Sequence, residues 1–236
     1  MDWIGTIERE GHALSVAARH DFRATVPSCP GWNVDELVRH TGHSHHWAEK
    51  IVRERLDAPP STDQVVVPHG NELGWYETGL ATLLETFRAA DPTDTVWTFS
   101  ANRTVSFWFR RQAHETTVHR VDAEQATGRS TGIDADLAVD GIGEHLEVFL
   151  PMMARRRAEP GEGTLHLHAT DIEGEWLVRF GEGTVAVEPG HAKGDAAVRG
   201  TAPDLYLWLW GRQDLTALEV FGDPELPAKL RRIGAA

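Results

Sequence analysis

The sequence predicts two domains, a four-helix bundle and a smaller α+β domain that follows it. The chain has 236 residues, roughly the length of two ordinary domains. Up to about residue 127, four segments repeat apolar residues at helical spacing, and prolines or glycines separate them. Beyond about residue 163, short runs of β-forming residues lie between glycine-rich turns. We therefore assign residues 1–130 to the bundle and residues 131–236 to the α+β domain.

Each bundle helix is predicted from an apolar stripe and from the residues that break it. Asn33, followed by Glu36 three residues later, has the spacing of a capping box and opens the second helix. Helices of similar length joined by connections of varied length are typical of a bundle, which can build a metal site from facing helices. The predicted helices run from Trp3 to about Thr25, from about Val34 to Leu56, from Glu72 to Ala90 and from Val105 to Thr127.

The second domain is predicted to begin with an amphipathic helix and to continue with short strands. Runs of alternating β-formers, separated by glycine-rich turns, predict the strands. Thr201, before Ala202, is predicted to start a later helix. The predicted elements are a helix over about Ile133–Arg157, strands over Thr164–His168, Trp176–Phe180, Thr184–Val187 and Ala196–Arg199, a helix through Trp210 and a last helix over about Pro224–Ile233.

The composition is that of a soluble globular chain with 41% hydrophobic and 25% charged residues. A net charge of -13 opposes a nucleic-acid or anionic-membrane partner, because such surfaces need clustered Lys and Arg. We therefore expect a small-molecule partner. The single cysteine excludes an internal disulfide, and the first ten residues have no basic and apolar leader pattern. The expected location is the reducing cytoplasm.

Glu115 and His119 stand four residues apart in the fourth predicted helix and therefore project from one face. This is metal-ligand spacing, although Glu and His also pair at this spacing on ordinary surfaces. Gln112, Asp122 and Trp108 fall in the same sector, so this face is either solvated or surrounds a group that needs polar ligands. A catalytic zinc site usually takes three protein ligands, so a third ligand must come from another segment.

The second predicted helix has four histidines within seven residues and is the best source of the third ligand. His40 is the first choice because it shares a face with Trp47. His43, about 60° to one side, is the reserve. His45 and His46 point away from that face, and the simpler interpretation of His43, His45 and His46 is that they are solvated or lie at the rim.

Four other side chains each have two interpretations. Asp122, one turn beyond His119, either orients that imidazole ring by a hydrogen bond or is a surface acid. Cys29 lies in a turn between two prolines, which favours a structural role over a nucleophilic one. Trp47 and Trp108 are either pocket walls or ordinary core residues.

Three parts of the sequence carry a resemblance to a known family. They are Val26–Trp32 with Val34–His40, Ala113–Glu124, and Leu207–Arg212. On these motifs, the chain resembles the mycothiol-dependent maleylpyruvate isomerase family. The motifs span nearly the whole chain in the order expected of that family.

The resemblance implies a DinB-like bundle followed by a domain similar to sterol-carrier modules. It implies a divalent metal, usually zinc, held by His40, Glu115 and His119. The implied activity is activation of a low-molecular-weight thiol, mycothiol, as a thiolate, for isomerisation of a small electrophilic substrate or transfer to it. Arg212 has a family-like setting as an anion-binding catalytic residue, or it interacts with the dipole at a helix C-terminus.

Two other functions stay open at this point. Zinc-bound water would make the protein a metal-dependent hydrolase that needs no thiol. Alternatively, the protein is a non-catalytic, metal-containing module whose second domain captures an apolar ligand. The shared motifs do not fix the substrate, because they do not include the positions that would recognise it.

Overall fold

The computed structural model describes residues 1–61, 65–67, 70–157 and 161–234. The chain divides into two compact units, Met1–Thr131 and Gly132–Ala236. The predicted order of four helices followed by a smaller α+β domain is confirmed.

The first unit is a bundle in which α1 packs against α4 and α2 packs against α3. All four helices contribute to one apolar core, for example through Leu14, Leu37, Tyr76 and Ala123. The Tyr76 hydroxyl also donates to the backbone carbonyl of Gly11, which fixes α3 against α1. The helices are α1 (Trp3–Ala18), α2 (Val34–Arg53), α3 (Glu72–Ala89) and α4 (Val105–Ala126).

Helix α2 begins where its capping residues predict. The Asn33 side chain accepts from the Glu36 backbone amide, and the Glu36 carboxylate accepts from the Asn33 amide, so the capping box is complete. Helix α1 ends at Ala18, and the expected extension to about Thr25 is wrong. The carbonyls of Phe22 and Ala24 instead accept from the first amides of α2, so this segment anchors the next helix.

The second unit places helices against a five-stranded sheet of order β3-β2-β1-β4-β5. Strands β1 and β4 are parallel, and the other neighbours are antiparallel. Leu165, Leu167 and Val198 point to the buried face of the sheet. The elements are α5 (Ala135–Glu144), α6 (Leu150–Ala154), β1 (Gly163–Ala169), β2 (Glu175–Gly181), β3 (Thr184–Pro189), β4 (Ala196–Gly200), α7 (Ala202–Trp210), β5 (Glu219–Gly222) and α8 (Glu225–Gly234).

The second unit differs from the sequence prediction in two elements. The single helix expected over Ile133–Arg157 is interrupted by a π-helical turn, His145–Phe149, and ends at Ala154. Pro151 explains the interruption, because it has no N–H for the carbonyl four residues earlier. Strand β5 was not predicted; it has four residues and lies at the sheet edge, too short for a clear alternation.

Among the described residues, no helix combines the length and the hydrophobicity that a membrane crossing requires.

Candidate metal centre

Helices α2 and α4 bring together the three side chains that the sequence predicts as metal ligands. One ligand atom from each of His40, Glu115 and His119 lies within 4.8 Å of the other two. The Oε1 atom of Glu115 is 3.3 Å from Nε2 of His40 and 3.2 Å from Nε2 of His119. The two imidazole rings meet edge to face, with centroids 4.9 Å apart.

These separations fit a tetrahedral cation. Zinc bonds to imidazole nitrogen and carboxylate oxygen are about 2.0–2.2 Å long, so two ligand atoms of a tetrahedral site lie about 3.3 Å apart. Two nitrogens and one oxygen form a borderline donor set that suits zinc and its neighbours in the first transition row. The three residues therefore pass the geometric and the chemical test for such an ion.

Asp122 determines which nitrogen of His119 faces the cluster. Its Oδ2 atom lies 2.9 Å from Nδ1 of His119, and its carboxyl group is fully buried. Because a carboxylate only accepts, Nδ1 carries the proton, and in neutral His119 the lone pair on Nε2 points toward Glu115. Two lone pairs facing each other need either a proton or a cation between them. The same arrangement of carboxylate and histidine is common around bound zinc.

The charges of the cluster are strongly coupled. Burial acts to raise the pKa of Glu115, but His119, His40 and Arg111 outweigh it and hold that pKa well below its usual range. Burial acts to lower the pKa of His119, but Glu115 and Asp122 raise it to about 9 in the metal-free protein. Arg111 donates to Oε2 of Glu115 at 2.8 Å and leaves Oε1 for the cluster.

The cluster is open on one side. The His40 side chain is 44% exposed, whereas the His119 side chain is 9% exposed. The ring of Trp32 packs against His40 with centroids 4.9 Å apart. A small molecule could therefore approach the cluster beside His40 and Trp32, while Asp122 closes the opposite side.

The polar sector of α4 is buried. Gln112, His119, Asp122 and Trp108 are all buried, so the solvated alternative for this face is wrong. Gln112 donates to the hydroxyl of Ser44 on α2. The polar members Gln112, His119 and Asp122 thus lie inside the bundle with polar partners.

The other histidines of α2 do not join this cluster. His45 is fully buried and hydrogen-bonds Thr116 at 2.9 Å, so its interpretation as a solvated or rim residue is wrong. The ring of His46 is stacked on Trp75. Among the described residues, His43, the reserve ligand, is not in any group whose ligand atoms lie close enough together to hold a metal ion.

Two models of one family match the chain. The model described as "Mycothiol maleylpyruvate isomerase N-terminal domain" matches residues 7–124, which is half of the chain. The chain belongs to this family. The model described as "MDMPI C-terminal domain" matches residues 136–229. The first match covers α2 and α4, which contain the three candidate ligands.

Two solved structures of the mycothiol-dependent maleylpyruvate isomerase also resemble the chain. One is a crystal structure of a histidine-to-alanine mutant of the mycothiol-dependent maleylpyruvate isomerase, with a TM-score of 0.64 and 13% identity, covering 92% of this chain and 91% of that one. The crystal structure titled without a mutation has a TM-score of 0.61, 14% identity and the same coverages. These likenesses establish the fold. No protein with a curated description matches the chain in sequence.

Arg212, the other site residue implied by the family, follows α7 in the second unit. Its guanidinium donates to the backbone carbonyl of Trp210, and its amide donates to the carbonyl of Leu207. These contacts agree with the alternative role at a helix C-terminus. Burial lowers the pKa of Arg231, and the positive charge of nearby Arg212 lowers it further. The catalytic role of Arg212 stays a prediction.

Sequence reasoning missed the residues that support the cluster from the α1–α2 turn. The Ser28 hydroxyl donates to Oδ1 of Asp122, and the Cys29 thiol lies 3.9 Å from Oδ2 of the same carboxylate. Only packing brings this turn to α4, so no local pattern could reveal it. The pairing of Arg111 with Glu115 could have been found, because the two residues are four apart on one helix. In the structure, Arg111 holds the Glu115 carboxylate.

Trp108 packs in the core rather than on the cluster. It is buried among Trp47, Trp97, Phe99 and Phe107, and its indole donates to the Trp97 carbonyl.

Proposed function

We propose that the protein is a metal-dependent enzyme that uses mycothiol to isomerise a small unsaturated acid. Two findings support this function. The chain belongs to the mycothiol maleylpyruvate isomerase family. His40, Glu115 and His119 converge at distances that suit a divalent cation. The convergence carries the proposal, because a family name alone does not assign a reaction.

His40, Glu115 and His119 would hold the cation, for which zinc is the best fit to the donors. When bound, the cation favours the thiolate form of a coordinated thiol at neutral pH. Asp122 fixes the tautomer and orientation of His119, and Arg111 fixes the Glu115 carboxylate. With three protein ligands, a bound cation would keep one position for the thiol, and the exposed side of His40 would give access to it.

The proposed reaction uses the thiol and returns it unchanged. The thiolate sulfur forms a bond to one carbon of an alkene that is conjugated to a carbonyl, and the alkene electron pair moves to the carbonyl oxygen as an enolate. The former double bond is then single, so rotation about it is free. When the enolate re-forms the double bond, the carbon–sulfur bond breaks and the thiolate leaves. In a transferase, the carbon–sulfur bond would instead remain in the product.

Arg212 is proposed to bind a carboxylate of the substrate. A guanidinium presents paired donors that match a carboxylate. Arg231 and Arg212 are close enough to interact electrostatically, and Asp214 offsets part of their positive charge. If this role holds, Arg212→Ala should raise KM for an acidic substrate while metal content stays unchanged. An unchanged KM would contradict the role of Arg212 in substrate binding.

The metal assignment is tested by elemental analysis of the full chain. Wild type should contain one more equivalent of metal per chain than a His40→Ala, Glu115→Ala, His119→Ala triple variant. The control is His12→Ala, which removes an exposed histidine of α1 and should retain the wild-type content. Equal metal in wild type and in the triple variant would contradict the assignment.

The reaction is tested with maleylpyruvate in the presence and absence of mycothiol. Nuclear magnetic resonance should detect a trans product of unchanged mass only when thiol and metal are both present. A product heavier by one thiol would indicate a transferase. Turnover of ester or amide probes without thiol would indicate a hydrolase. No turnover in any arm would leave a binding module and contradict the proposal.

A further inference from the structure

A second cluster of histidines lies in the second unit, around the carboxylate of Glu175. Its members are two residues of β1, one residue of β2 and one residue after β3, namely His166, His168, Glu175 and His191. One ligand atom from each lies within 4.8 Å of all the others. None of the four belongs to the motifs from which the metal centre of the first unit was predicted.

Strand geometry places three of these side chains on one face of the sheet. His166 and His168 are two residues apart on β1 and therefore point to the same face. His168 is directly opposite Glu175 on β2, so Glu175 shares that face. Leu165 and Leu167 point to the other face and are buried. The cluster therefore lies on the face of the sheet opposite to the one that carries Leu165 and Leu167.

One carboxylate oxygen lies where the imidazole nitrogens converge. The Oε2 atom of Glu175 is 2.8 Å from Nε2 of His166, 2.6 Å from Nδ1 of His191 and 3.6 Å from Nδ1 of His168. Burial acts to raise the pKa of Glu175, but hydrogen bonds from His191 and His166 lower that pKa. The carboxylate is therefore ionised at neutral pH. Three imidazoles thus share one anionic oxygen.

We propose that His166, His168, Glu175 and His191 form a second binding site for a divalent transition-metal ion of the zinc class. Imidazole nitrogen selects such ions over calcium and magnesium, which prefer oxygen ligands. Four protein ligands complete a tetrahedron and leave no position for a substrate, which is the pattern of a structural zinc site. The ion would cross-link β1, β2 and the segment between β3 and β4.

His191 defines what this site would do. Its side chain is 76% exposed, and it lies in the connection between Pro189 and Ala196, outside the regular strands. The amides of Gly190 and Asp195 donate to the Glu175 and Thr164 carbonyls at the two ends of this connection, so a metal ligand bond from His191 would restrain the part between them. The site would therefore stabilise the fold of the second unit, and it would do so whatever the first unit catalyses.

Metal stoichiometry of the full chain, with any affinity tag removed, tests the proposal. Wild type loaded with zinc and dialysed should retain two equivalents per chain. His191→Ala should retain one, and so should His119→Ala, whereas the double variant should retain none. Because His191 is exposed, its replacement leaves the core intact. His12→Ala is the matched control and should retain two. Two equivalents in His191→Ala, or one in wild type that disappears with His119→Ala, would overturn the second site.

A conservative change separates a metal site from a network of hydrogen bonds. Glu175→Gln keeps an oxygen acceptor for the histidines but removes the anionic ligand. In a His119→Ala background, which isolates the second site, Glu175→Gln should weaken zinc binding by at least about 100-fold, more than outer-shell changes usually cost. An unchanged zinc affinity would mean that the cluster is only hydrogen-bonded.

Hydrogen exchange tests the structural role in the same His119→Ala background. Zinc should slow amide exchange at residues 190–195 at least about tenfold, and His191→Ala should abolish that protection. Zinc binding without any protection of residues 190–195 would overturn the proposed cross-link.

Discussion

The Nδ1 atom of His119 lies 2.9 Å from the Oδ2 atom of Asp122, one turn further along α4. Asp122 is fully buried and also accepts from the Ser28 hydroxyl. The carboxylate is thus fixed from two directions and is shielded from bulk solvent. Its effect is to hold the imidazole in one tautomer and one orientation, with Nε2 directed toward Glu115.

Asp122→Asn should weaken metal binding at the first site by about 10- to 100-fold, the usual cost of losing an outer-shell partner. The amide cannot supply the negative charge that raises the basicity of the imidazole. Competition titration with a chromophoric chelator measures the change. Asp57→Asn, at an exposed position, is the control and should bind as wild type does. Wild-type affinity in Asp122→Asn would show that Asp122 has no influence on the ligand.

The sequence predicts only the part of this centre that the geometry of a single helix determines. Spacing places Glu115 and His119 on one face, because both belong to one helix. The choice of His40 over His43 followed from the helical face, and its approach to Glu115 depends on how α2 packs against α4. Ser28 reaches Asp122 from the α1–α2 turn across 94 residues of sequence. Such contacts between separate segments have no periodic signal and need the folded structure.

The same limit applies to the fold. Helix α2 was predicted at its first turn because Asn33 and Glu36 form a local motif. The edge strand Glu219–Gly222 was not predicted, because it is short and pairs with β4, which is distant in sequence. The π-helical turn before Leu150 was also missed, although Pro151 gave a local signal for an interruption there. The paired histidines His166 and His168 did carry a signal, since alternation along a strand places them on one face. That signal becomes informative only when Glu175 is known to lie opposite.

Asn33→Ala should lower the free energy of unfolding by about 1 kcal/mol, because the Glu36 amide loses its acceptor at the start of α2. Urea denaturation of the full chain measures the change. Asn33→Ser is the matched control, since serine also caps helices, and it should recover most of the loss. Equal destabilisation by alanine and serine would mean that the cap contributes nothing.

Arg120 is a buried cation whose removal should be costly. Its guanidinium donates to Glu10 at 2.8 Å, to Glu124 at 2.9 Å and to the Thr131 carbonyl at 2.8 Å. Arg120→Met should lower the free energy of unfolding by about 3–5 kcal/mol, because it leaves buried carboxylates without their cation. Thermal and urea unfolding measure the loss.

Two further variants test whether the unpaired charges cause that loss. Combining Arg120→Met with Glu10→Gln and Glu124→Gln should recover part of the stability, because neutral amides are easier to bury. Arg88→Met, which breaks an exposed pair with Glu8, should cost at most about 1 kcal/mol. If the triple variant does not recover stability, the loss in Arg120→Met comes from packing.

His45 is the clearest source of acid sensitivity in the first unit. Its ring is fully buried, Nε2 donates to the Thr116 hydroxyl, and Nδ1 has no hydrogen-bond partner among the described residues. The Thr116 hydroxyl itself donates to the Gln112 carbonyl, so it accepts from His45. Burial lowers the pKa of His45 from 6.5 to about 3. Between these two values, the unfolded chain binds a proton that the folded chain excludes.

The folded state therefore loses stability as the pH falls from about 6.5 toward about 3, and this contribution is fully present above 6.5. His45→Gln keeps a donor for Thr116 but does not titrate, so the slope of unfolding free energy against pH should decrease by up to about 1.36 kcal/mol per pH unit between pH 6 and pH 4. Urea unfolding in the presence of a chelator measures the slope without interference from metal release. His12→Gln, at an exposed position, should leave the slope unchanged. A His45→Gln slope equal to that of wild type would mean that His45 is protonated in the folded protein, against the buried and unpartnered position of its Nδ1 atom.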